Sequence, residues 1–150
     1  MYRLVLLSHV LGAILAVGPA FTYGLWLALG RRAGEREQAF AFRGVLWIDA
    51  RLVTPAFVWL LVSGLLLVFV YRSARFGTLW LDLSLMIYVV LAILAVTVVA
   101  PRARRARRAL DEHGIDAPGY VGYRKLMRRL SPVISVGTLA IVYLMVTKPT

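Results

Sequence analysis

Residues 4–30 read LVLLSHVLGAILAVGPAFTYGLWLALG, 27 positions without a charge. As a helix rising about 1.5 Å per residue, this run extends about 40 Å, more than the roughly 30 Å of hydrocarbon in a bilayer. Within it, Gly12, Ala16, Ala20, Gly24 and Ala28 recur every four residues, a row of small side chains that lets another helix backbone approach. At about 3.6 residues per turn the row drifts by about 40° per step, so it is expected to serve two neighbours. Leucine at Ala16, Ala20 or Gly24 is accordingly expected to overpack an interface. His9 precedes Gly12 by three residues, which puts it on the packed side.

The run ends at Arg31 and Arg32. It is too long for the apolar core of a signal peptide and has its basic flank at the wrong end, so it reads as a mature first helix. Three further apolar stretches follow, giving spans of about 4–30, 50–71, 79–100 and 132–147. With 150 residues, 61% of them apolar, the expected fold is all-α: one integral membrane domain, residues 1–150, built as an antiparallel four-helix bundle. The chain has no cysteine, which excludes a disulfide framework and a thiolate metal site.

The net charge of +11 reports topology. Arg31, Arg32, Arg36, Arg43 and Arg51 follow the first span. Arg102, Arg104, Arg105, Arg107, Arg108, Arg124, Lys125, Arg128 and Arg129 follow the third. Those fourteen face four on the other side: Arg3, Arg72, Arg75 and Lys148. The positive-inside rule then places both basic loops in the cytoplasm and both termini outside. Arg31, Arg32, Arg102, Arg104, Arg105, Arg107 and Arg108 read as anchors to an anionic inner leaflet. No nucleic-acid-reading module accompanies them.

Residues 35–50 mix charges with aromatic and aliphatic side chains, which suits a helix at headgroup level or an extension of the second span. Residues 102–110 read as a helical extension of the third span. Gly114–Gly119, with Pro118, is a turn signal, and Tyr120–Leu130 leads helically into the fourth span. Pro19 and Pro55, inside the first two helices, are expected to bend them.

Intramembrane polar residues carry the functional information, because each is costly to place in lipid. For most serines and threonines a bond to the backbone one turn earlier suffices. His9 and Asp82 remain. His9 reads either as a haem or metal ligand or proton-transfer group, or as a neutral imidazole bonded to a neighbouring helix. Asp82 suits the positive end of its own helix. Topology puts both in the outer half, where they are expected to meet as one polar locus. Met86 stands one turn from Asp82 and offers a thioether to Cu(I). No catalytic constellation is present.

Taken in order, SHVLGAILAVG (8–18), PAFVWLLVSGLLLV (55–68), FGTLWLDL (76–83), PRARRARRAL (101–110) and MVTKP (145–149) resemble a family of small bacterial four-span proteins. Its members are described as predicted integral membrane proteins with domain of unknown function 2269. More distantly, the layout is similar to CopD-type copper-resistance domains and HemJ-type protoporphyrinogen oxidases. Those groups open with a histidine followed by tryptophan and glycine, where this chain has His9, Ala16 and Gly18. The HemJ-type Trp-Leu-His-x-Lys element corresponds to Trp80-Leu81-Asp82-Leu83-Ser84. That distant resemblance implies haem b or copper at His9. The residues themselves call for no cofactor and point to a non-enzymatic membrane component acting through helix packing, as a homo-oligomer or with a membrane protein partner.

Overall fold

The computed structural model describes residues 1–71 and 78–149; Arg72 and Arg75, counted above with the outer charges, lie outside them. The fold is all-α. Its elements are α1 (Tyr2–Ala33), α2 (Glu35–Ile48), α3 (Thr54–Phe69), α4 (Leu79–Leu94), α5 (Ala100–His113) and α6 (Pro118–Thr147). α2 runs into α3 and α4 into α5, so the described residues form four long helices, each apolar and long enough to cross a membrane. The segment before the second span is therefore an extension of that span.

The two joins share one device. At Asp49–Val53 and at Ala95–Val99 the helix widens to π-type turns, in which Thr54 N–H reaches Asp49 O and Ala100 N–H reaches Ala95 O, five residues back. Each wide turn immediately precedes a proline, Pro55 or Pro101. In an α-turn the proline ring would press on the carbonyl four residues earlier, and the added residue relieves that contact. At Pro55, then, the disturbance expected as a bend takes the form of a wide turn. Helix α1 continues through Pro19, and α6 through Pro132.

Contacts divide the chain into two compact units, Met1–Arg75 and Phe76–Thr150. In the first, α1 packs along α2 and α3. A single residue, Gly34, links α1 to α2 with φ 144° and ψ 178°. Side-chain-bearing L residues rarely adopt that φ, and a Cβ there would stand 2.7 Å from Glu37 Oε2. The helices keep antiparallel step from one end to the other. Gly30 faces Ala41 and Gln38, Gly12 faces Trp59 and Leu60, and His9 meets Ser63. At the far end the Tyr2 and Tyr71 rings meet edge to face, 5.6 Å apart.

Within this unit the row of small residues divides. Gly12 and Ala16 are buried, Ala20 and Ala28 half-buried, and Gly24 is exposed, with nothing within 4 Å of a Cβ built on it. At about 100° per residue, Gly24 stands about 120° round from Gly12, whereas Gly30, five full turns on, returns to the same line. Gly30 is buried and was not part of the row. A Cβ at Gly24 meets nothing of α2 or α3.

In the second unit α6 packs along α4 and α5. Gly137 lies against Leu91, a Cβ there standing 3.2 Å from Leu91 Cδ1, and Gly119 lies against Ala109. Lys148 Nζ sits 5.7 Å from the Trp80 ring. The α5–α6 turn is made by Gly114, at φ 79°, and α6 opens on Pro118, where a missing N–H costs nothing. On α5, Ala103, Ala106 and Leu110 are buried, and with Ala117 and Tyr120 they form a small core beyond the apolar spans.

Candidate functional site

Most intramembrane hydroxyls bond to their own helix, as expected. Thr22 donates to Pro19 O, Ser84 to Trp80 O, Thr97 to Ile93 O and Thr138 to Ile134 O, all at 2.6–2.8 Å. Ser63 does more. Its Oγ donates to Trp59 O at 2.6 Å and lies 2.8 Å from His9 Nδ1. Ser63 has one proton, and the short contact to a carbonyl uses it, so Oγ must accept from Nδ1–H. In the neutral imidazole this puts the proton on Nδ1 and leaves the lone pair on Nε2. The tautomer is thus assigned from the hydrogen-bond network.

The ring is held from further sides. Gly64 leaves room for it, since a Cβ there would stand 3.3 Å from His9 Cε1. Trp59 Nε1 donates to Ser8 O at 3.3 Å, tying α3 to the residue before His9. Ser63 is fully buried and His9 half-buried. The cluster fixes the imidazole and presents Nε2 as a base or a single metal-ligand atom.

A second polar locus lies in the same unit and was missed in the sequence. The Tyr23 phenol interacts with the Asp49 carboxylate, which also interacts with the Thr54 hydroxyl. Tyr23 Oη is buried and makes no hydrogen bond of good geometry, so its tie to Asp49 is electrostatic. Asp49 opens the wide turn, and its place in a segment rich in charge disguised it. Val45 and Val53, four residues either side, are both buried, which puts Asp49 on the packed face.

His9 belongs to the first unit, and Asp82 and Met86 to the second. Asp82 occupies the first turn of α4, and its backbone N–H bonds to Thr78 O. Asp82 and Met86 are both exposed. Among the described residues no three His, Cys, Asp or Glu side chains gather as a metal group would require. Arg31 and Arg32 lie in the last turn of α1, where positive charge suits the helix end. Arg102, Arg104, Arg105, Arg107 and Arg108 are exposed on α5, and Arg102 Nη1 donates to Val98 O at 3.3 Å.

Four long apolar helices with basic extensions and polar ties between them define a multi-pass integral membrane protein. Residues 3–149 match the family described as "Predicted integral membrane protein (DUF2269)", and the chain belongs to it. No curated protein and no solved structure matches.

Proposed function

We propose that this protein is a non-catalytic component of a bacterial cytoplasmic membrane that acts by contact with another membrane protein, a second copy of itself included. The observation that carries the reading is on α4. Leu79, Asp82, Met86, Val89 and Ile93 follow one another at alternating steps of three and four, and all are exposed. That spacing keeps a straight seam along a helix and suits left-handed packing at about 20°. Methionine within it adapts to varied partners. Cross-linking from this face, set out in the Discussion, tests the contact.

The fourteen-to-four division of basic residues supports an orientation with both termini outside. A reporter active only outside the cytoplasm should work when fused after Thr150 and fail when inserted within Asp111–Ala117. The reverse pattern would refute this orientation.

A second reading rests on the Nδ1–H tautomer of His9, which leaves Nε2 with a lone pair for haem or copper. An absorption spectrum and copper content of purified protein test it. One haem or copper per chain, lost on His9→Ala, would favour it. Neither group, in protein purified from cells supplied with both, would remove it.

A further inference from the structure

Between α1 and α3, both in the first unit, runs an apolar groove of about 370 Å³. Gly12 and Ala56, both buried, are its small floor, and Leu15 and Leu52 are exposed along its sides. Trp59 closes one end, held by its bond to Ser8 O. Arg51 stands at the other, exposed in the wide turn. Among the described residues no group pairs with its guanidinium. The nearest acid in sequence, Asp49, interacts with Tyr23 and Thr54 instead.

From Arg51 to Trp59 is eight residues, about 12 Å along a helix, against about 15 Å for one leaflet of a hydrocarbon core roughly 30 Å thick. The groove thus matches one leaflet in length, is apolar along its course, and carries an unneutralised cation at its shallow end. We infer that it is a binding site for one anionic glycerophospholipid, with an acyl chain lying along Gly12 and Ala56 and the phosphate on Arg51. Gly12 and Ala56 supply the depth, the arginine selects the headgroup, and Trp59 limits the reach of the chain. This site is separate from the exposed face of α4 and does not depend on the contact proposed for it.

Trp59 reports on its own groove. In protein carrying Trp26→Phe, Trp47→Phe and Trp80→Phe, Trp59 is the remaining tryptophan. Reconstituted in dioleoyl phosphatidylcholine, it can be titrated with phosphatidylglycerol or phosphatidylcholine bearing brominated acyl chains, which quench its fluorescence on contact. The expected result is half-maximal quenching by phosphatidylglycerol at a roughly fivefold lower mole fraction, the preference one arginine confers at an anionic surface. Arg51→Gln should abolish the preference and Arg31→Gln should leave it. Leu15→Phe, at an exposed lining position, should weaken quenching by both lipids. Native mass spectrometry of the protein with all four tryptophans gives a second readout. One phosphatidylglycerol should stay bound after phosphatidylcholine is stripped, and Arg51→Gln should lose it. Equal quenching by the two lipids, or a preference that survives Arg51→Gln, would overturn the headgroup assignment. Quenching by neither would show the groove filled by protein and overturn the site.

Discussion

Replacing Tyr120 with alanine should destabilise the α5–α6 pair by about 3–5 kcal/mol, the usual cost of emptying a large aromatic site in a packed core. Tyr120 is 1% exposed, the largest side chain in a core otherwise made of Ala103, Ala106, Leu110 and Ala117. Small alanines bring the helices close and leave few other atoms to fill the space. Arg124 sits 5.7 Å from the ring and covers it, a contact that truncation also removes. Since this core lies beyond the apolar spans, its opening can be followed by amide exchange without unfolding the membrane part. At about 1.4 kcal/mol per tenfold, exchange in Ala103–Leu110 should accelerate by at least about a hundredfold if those amides exchange through opening of the pair. Tyr120→Phe keeps the ring and should preserve most of the protection. Unchanged exchange in Tyr120→Ala would show that the arginine-rich helix is held by something else.

The second large effect is expected at Gly30. A Cβ there would stand 2.9 Å from Ala41 Cβ, 3.0 Å from Glu37 O and 3.2 Å from Gln38 Cα. Two of those three atoms are backbone and none belongs to a flexible side chain, so α1 and α2 must separate to admit even a methyl group. Gly30→Leu should lower stability by about 1–3 kcal/mol or more, read as a fall in the thermal midpoint in detergent. Gly24→Ala is the matched control. It has open space and gains helix propensity, so it should be neutral or stabilising by up to about 1 kcal/mol. Equal losses from the two substitutions would mean that the interface lies elsewhere on α1.

These two sites show where the sequence was readable. The four spans were plain, because long uncharged apolar runs have no other reading, and so was the turn at Gly114–Pro118. The seam on α1 was half legible. A strict four-residue row looks like a packing face, but helix geometry carries Gly24 off the line and brings Gly30 back onto it. In 102–110 the arginines drew the reading toward the bilayer surface, while the alanines between them carried the packing. The wide turns have no compositional mark, since they depend on which carbonyl the residue before a proline selects. Of the candidate site, His9 was legible as an intramembrane ionisable residue. Its partner Ser63 was not singled out, because serines in membrane helices so often satisfy themselves. Tyr23 and Asp49 required knowledge of which faces of α1 and α2 meet.

The proposed contact through α4 is tested most directly by photo-cross-linking in native membranes, with a photoreactive residue at Met86, Val89 or Ile93 in turn. Leu91, which packs against Gly137 of α6, serves as the control position. The account predicts that the three exposed positions each yield a protein adduct with the same mass increase, while Leu91 yields none. Lipid adducts alone at all three exposed positions would contradict it.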